Sequence, residues 1–376
     1  MLLDYETLRL IWWALLGVLL IGFAVTDGFD MGVAALLPFI AKDDKQRRLV
    51  INTVGPVWEG NQVWFILGGG AIFAAWPALY AVSFSGFYFA MMLVLVALII
   101  RPVAFKFRSK RADAKWRTRW DWALSFSGVV PPLVFGVAVG NVLQGVPFHF
   151  DDSLRPIYTG SFFALFNPFA LLCGLLSVAM LLLHGATYLQ LKASGETAQR
   201  ASRWGRYAAL AVVALFAIGG VWIHFINGFE ITTAMNTAGP SNPLRKEVVE
   251  SAGYWLSNFK QTPALWLVPL LGFVGAAMAW LGLRSQRNAL SFLGSKLSVA
   301  AIITTVGVTM FPMILPSSSH PSHSLTVWDA SSSHSTLWIM LIATVLLLPI
   351  VLAYTAWVYK VLWGTLSEDD INDDMY

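Results

Sequence analysis

The chain has 376 residues, of which 57% are hydrophobic and 12% charged, with a formal net charge of +4. Soluble domains carry about 25% charged residues, so this composition excludes an ordinary soluble enzyme and fits a polytopic membrane protein. The small positive charge is no nucleic-acid signature, because the basic residues gather in short turns on one side. A single cysteine, Cys173, excludes an internal disulfide and any cysteine-based metal cluster.

In chain order, nine apolar segments have the length of a membrane span, about 20 residues. They cover 9–40, 47–75, 79–104, 121–143, 162–190, 206–227, 264–283, 291–315 and 336–360. The expected fold is therefore all-α, one membrane domain over 1–376. The first segment is too long for a signal peptide and follows Asp4 and Glu6, so it is expected to stay. Pro38, Pro56, Pro131, Pro132, Pro269, Pro312 and Pro349 lie inside segments and predict kinks. Many tryptophans, among them Trp12, Trp76, Trp255 and Trp363, sit near segment ends, as an interfacial belt requires.

The connections alternate in charge. Those at 41–48, 101–120, 191–206 and 283–296, with the tail from Lys360, hold 20 of the 25 Lys and Arg residues. The positive-inside rule makes that side cytoplasmic. An odd number of spans then puts the N-terminus outside and the C-terminus inside. Arg101, at the end of the third segment, is expected to snorkel to the inner interface, and KFRSKRADAKWRTRW to form a solvated turn against lipid headgroups. The outer connections are 144–161, 228–263 and 316–335. PSNPLRKEVVESAGYWLSNF in the second predicts a short surface helix. The triple glycine at 68–70 reads as a close helix contact.

The first two segments carry acids where lipid-facing helices have none: Asp27, Asp30 and Glu59. Counted from the turn between them at ~1.5 Å per residue, Asp30 lies about 15 Å deep and Glu59 about 17 Å. Asp27 and Asp30 share a helix face, as do Glu59 and Gln62. Gly28 and Gly32 permit close helix approach. Asn61 and Gln62 complete one expected polar layer. An ionisable group inside a membrane marks function by default, and the layer suits a proton path or buried ion site. Two other readings remain: polar glue between helices, and a proton-coupled secondary transporter.

Histidines offer little for ligation. His149, His320, His323 and His334 fall in outer connections, and His224 is near a helix end. His184 in LLLHGATYLQ more readily satisfies a neighbouring carbonyl or acid than a metal.

The strings DYETLRLIWWALLGVLLIGFAVTDGFDMG, WEGNQVWFILGGGAIFAAWPALYA, FSGFYFAMMLVL, GNVLQGVPF, LTVWDASSS and AYTAWVYKVLWG span nearly the whole chain. They resemble subunit II of the cytochrome bd ubiquinol oxidases. The resemblance implies two four-helix bundles plus one peripheral helix, in a bacterial inner membrane. It implies a complex that oxidises ubiquinol, reduces O2 to water and builds a proton gradient. Haem b and haem d would be carried by the partner subunit I, with a small single-span subunit in the assembly. Some members also hold a structural ubiquinone in subunit II. Glu59 stands where many members have an Asp associated with a proton path, so the carboxylate is kept on a longer arm. Asp30 matches the second Asp of the family's Asp-Gly-Phe-Asp-Met-Gly string. Val57 stands where many members have His. Trp64 matches a tryptophan associated with lateral O2 entry in some members, against a plain packing role.

Overall fold

The computed structural model describes residues 3–371. The C-terminal residues 372–376, which the charge count assigns to the cytoplasm, lie outside the described residues. Twelve α-helices run in the order α1 Tyr5–Ile40, α2 Asp44–Val54, α3 Trp58–Ala75, α4 Pro77–Gly86, α5 Tyr88–Phe107, α6 Ala114–Gln144, α7 Pro168–Lys192, α8 Gly195–Trp222, α9 Ser257–Gln261, α10 Leu267–Arg284, α11 Asn288–Met310 and α12 His334–Val361. Among the described residues, eight helical stretches are long and apolar enough to cross a membrane.

Of the expected proline effects, the structure shows a helix break at Pro56. The apolar stretch 47–75 is two helices, because Gly55 ends α2 and Pro56 cannot supply the next helical N–H. Pro77 opens α4 at the first helical turn, where its missing N–H costs nothing. The 79–104 stretch is likewise divided, at Phe87 between α4 and α5. By contrast α1 runs unbroken through Pro38 for 36 residues. At ~1.5 Å per residue it is about 54 Å long, well beyond a ~30 Å hydrocarbon layer. Its start is fixed by the Asp4 side chain accepting from Thr7 N at 2.7 Å.

α1 is the hub. It packs against α3, α6, α7 and α11, while α7, α8, α10 and α11 pack on one another and α12 touches α1 and α3 only lightly. Close approach of α1 and α7 needs glycine: a Cβ on Gly32 would collide with the Leu181 carbonyl, and one on Gly185 with the Gly32 backbone. The triple glycine differs from expectation, since a Cβ at Gly68, Gly69 or Gly70 would meet nothing within 4 Å among the described residues.

The basic turns bury more than solvation predicts. Arg108 is 1% exposed and donates to Asp121 at 2.5 Å and Asp44 at 2.9 Å. Arg47 and Arg117 complete this network onto the same two carboxylates, at 2.8 and 2.6 Å.

At the other end, three antiparallel hairpins cap the bundle: β1 Phe148–Phe150 with β2 Pro156–Tyr158, β3 Asn227–Ile231 with β4 Val248–Ala252, and β5 Met313–Leu315 with β6 Leu325–Thr326. The segment expected to form a surface helix is a loop over 240–247 followed by β4 and a 3₁₀ turn, with only the short α9 as α-helix. Its Val248–Val249 pair alternates across a strand, and Gly253 takes a left-handed turn at φ 69°.

The hairpin end also gathers three histidines. The His149 and His320 rings lie 4.8 Å apart and His320 and His323 5.2 Å apart. His323 Nδ1 accepts from Phe150 N at 2.9 Å. Burial, then the nearby His320, His149 and Lys246, hold the His323 imidazole below its usual range. The folded chain thus binds fewer protons here than the unfolded chain. The stability this provides is full above the ordinary imidazole pKa of about 6.5 and is lost as pH falls through the lower folded value. Thermal unfolding followed from about pH 7 to about pH 5 should show this decline, and His323→Gln should flatten it.

Candidate functional site

The polar layer expected from sequence exists, but its members pair differently. Asp27 and Asp30 are both buried on α1, at 0% and 2% exposure. Although they share a face, they engage different helices. Asp30 Oδ2 accepts from Asn61 Nδ2 of α3 at 2.8 Å. Asp27 Oδ1 accepts from Arg101 Nη1 of α5 at 2.5 Å. Arg101 is 1% exposed, so it does not snorkel to an interface. Since α5 continues to Phe107, Arg101 sits six residues inside the helix, about 9 Å from its end.

Glu59 is not part of this contact. It is exposed on the surface of the chain, and its side chain makes no hydrogen bond or ion pair among the described residues. Two residues advance an α-helix by about 200°, so with Asn61 facing α1, Glu59 faces away. Gln62 is half-buried. Trp64 is 8% exposed and packs against α1 at Gly22, where a Cβ would lie 2.7 Å from the indole ring.

Tyr359 of α12, which nothing in the sequence singles out, joins the site. Its Oη donates to Asn61 Oδ1 at 2.7 Å. The result is a continuous chain, Tyr359 to Asn61 to Asp30, across three helices. Four buried polar atoms beside it have no protein partner among the described residues: Asp27 Oδ2, Asp30 Oδ1, Arg101 Nε and Arg101 Nη2. Buried polar atoms rarely stay unpaired, so their clustering marks a hydratable place in the membrane region.

Tyr359 also lines a cavity of about 1000 Å³ between the middle of α1 and the ends of α2, α5, α7, α11 and α12. The cavity runs from Lys110 and Leu366 at the basic end to Val25 and Thr26 inside the bundle. Phe29 and Tyr188, stacked at 4.0 Å, form part of its wall, and Tyr188 is fixed by donation to Thr53 O at 2.8 Å. Lys296 also faces it, eight residues into α11 and 4.1 Å from the Phe292 ring. His184 is 0% exposed, with Nδ1 2.8 Å from Ser295 Oγ and Nε2 2.9 Å from Val25 O, the neighbouring-carbonyl role expected of it. Among the described residues no group of three His, Cys, Asp or Glu side chains could hold a metal ion.

A family model described as "Cytochrome bd terminal oxidase subunit II" matches residues 8–362. The chain is 52% identical over 371 residues to cytochrome bd-I ubiquinol oxidase subunit 2 of Escherichia coli K12, covering 98% of each. It is 49% identical over 375 residues to a probable cytochrome oxidase subunit 2 of Haemophilus influenzae, covering 100% of this chain and 99% of that one. Identity to cytochrome bd ubiquinol oxidase subunit 2 of Bacillus subtilis is 31% over 360 residues, covering 96% and 97%. Among solved structures, the bd oxidase from Geobacillus thermodenitrificans aligns with a TM-score of 0.68 at 16% identity, over 95% of this chain and 98% of that one, a likeness of fold.

Proposed function

The chain belongs to the cytochrome bd terminal oxidase subunit II family, and from that premise we propose that it carries protons from the cytoplasmic side toward haems held by a partner subunit I. It is a subunit of a quinol:O2 oxidoreductase complex. The transporter reading finds no support among its relatives. Quinol oxidation releases protons on the outer side of the bacterial inner membrane, and dioxygen reduction consumes protons from the inner side. A path for the second set is what a buried acid layer provides.

The observation that carries this reading is the hydrogen-bonded chain from Asp30 through Asn61 to Tyr359, which ends on the wall of the large cavity at the basic end. Taking that end as cytoplasmic, with the N-terminus outside, follows the positive-inside rule. Counting α2 and α3 as one broken span gives nine spans, with α12 as the peripheral helix outside two four-helix groups. Water in the cavity would deliver a proton to the neighbourhood of Asp30, and Asp27, held by Arg101, would set the local field.

Haem b and haem d are assigned to subunit I. That assignment is supported by His184, the buried histidine of the spans, whose ring nitrogens are engaged by Ser295 Oγ and Val25 O. Glu59 lies on the surface of the chain. An acid at that depth is costly against lipid, so subunit I covers it and the path crosses between subunits there. Trp64 of α3, buried against α1, is read as packing beside that crossing. The small single-span subunit and membrane lipids cover other parts of the apolar surface.

The test is quinol-driven oxygen uptake by the complex assembled with Glu59→Gln. Turnover should fall by roughly 10²–10⁴-fold, the range of a lost acid–base group, with haem spectrum and assembly intact. Unchanged turnover would remove Glu59 from the path. Loss of assembly would make it a structural acid.

A further inference from the structure

We propose that Tyr359 is a positioning residue for proton uptake at Asp30, acting through the Asn61 carboxamide that lies between them. The inference rests on the reading of Asp30 as a proton carrier. Asn61 is 2% exposed and has two neighbours at hydrogen-bond distance, Tyr359 Oη at 2.7 Å and Asp30 Oδ2 at 2.8 Å. A carboxamide has a donating end and an accepting end, whereas a phenol and a carboxyl group can each play either part. With Asp30 ionised, Asn61 turns its NH2 to the carboxylate and its oxygen to the phenol, which donates. With Asp30 protonated, the reverse orientation pairs equally well: the carboxylic O–H donates to the Asn61 oxygen and the NH2 donates to the phenol oxygen.

Asp30 can therefore take and release a proton without stranding a buried polar atom on Asn61, and an unpaired buried atom is the expensive outcome. Tyr359 makes this possible because its hydroxyl accommodates both orientations. It also lies on the cavity wall, where its own O–H can turn to water when Asn61 donates to it. A phenylalanine would leave one end of the carboxamide without a partner in either state and would bias Asn61 toward one orientation. The placement stands out on α12, of which only Leu337 is fully buried and whose other core contacts, Trp338, Met340 and Leu341, are apolar and lie near its start. The helix thus brings a polar group into the site while contributing little to the core.

The experiment uses the assembled complex carrying Tyr359→Phe, Asn61→Ser, both together, or Asp30→Asn. Quinol-driven oxygen uptake, the solvent deuterium isotope effect on turnover and haem content are measured for each. Tyr359→Phe should lower turnover by about tenfold, the equivalent of one buried hydrogen bond lost from the proton step. It should raise the isotope effect and keep full haem content. In the Asn61→Ser background it should add less than about twofold, because the two residues act as a unit. Unchanged turnover in Tyr359→Phe with slowed turnover in Asp30→Asn overturns the role of Tyr359 and leaves the path standing. Unchanged turnover in both overturns the path reading itself. Fully additive effects, or loss of haem with no change in isotope effect, would make Tyr359 a docking contact for α12 and also overturn the proposal.

Discussion

Arg101→Leu is expected to destabilise the subunit by about 3–5 kcal/mol, the cost of removing one partner of a buried ion pair. Arg101 and Asp27 are 1% and 0% exposed and meet at 2.5 Å. With the guanidinium gone, Asp27 loses the cation that faces it among the described residues, in a region that cannot solvate it. It must either stay charged at high cost or take up a proton. The double variant Asp27→Leu with Arg101→Leu should recover most of the loss, because replacing a whole buried pair by apolar groups is often neutral or stabilising. Arg101→Lys should fall between, since only one guanidinium nitrogen bonds Asp27 and an ammonium can replace that single contact. Thermal unfolding and haem content of the purified complex would report all three. A single Leu variant as stable as the parent would show that the pair contributes nothing to folding.

The same pair shows where sequence reasoning stops. Hydropathy located the apolar stretches well, because the length of a span is set by the membrane. The depth count correctly brought α1 and α3 together at Asp30. It named Glu59 as the meeting acid, however, and depth says nothing of rotation. The face of α3 turned to α1 carries Asn61, and Glu59 points the other way. Arg101 was assigned to the interface because it ends an apolar run, but α5 goes on through Pro102 to Phe107. The signal was present in the composition: Asp27 needed a cation, and Arg101 is the one strong base that directly follows an apolar run in the neighbouring spans. Tyr359 carried no comparable signal. It lies 298 residues from Asn61 in sequence, on a helix whose position depends on tertiary packing alone.

Asp30→Asn should separate chemistry from stability. The amide is nearly isosteric with the carboxyl group, and its oxygen can still accept from Asn61 Nδ2, the bond that now measures 2.8 Å. Stability should therefore change by no more than about 1 kcal/mol, the net worth of one hydrogen bond. Asparagine cannot carry a proton, so quinol-driven oxygen uptake should fall by about 10²–10⁴, the range of a lost acid–base group. Asp27→Asn should give the opposite pattern. It leaves Arg101 buried without its carboxylate, so unfolding temperature and haem content should fall first, by the 3–5 kcal/mol scale of a broken buried pair. The two acids stand three residues apart on one helix, which makes the comparison internal: same helix face, same substitution, different partners. Oxygen uptake and thermal unfolding of both variants decide it. Full turnover in Asp30→Asn would sink the path through this layer. Equal loss of stability in both variants would mean that Asp30, like Asp27, serves only to hold the helices together.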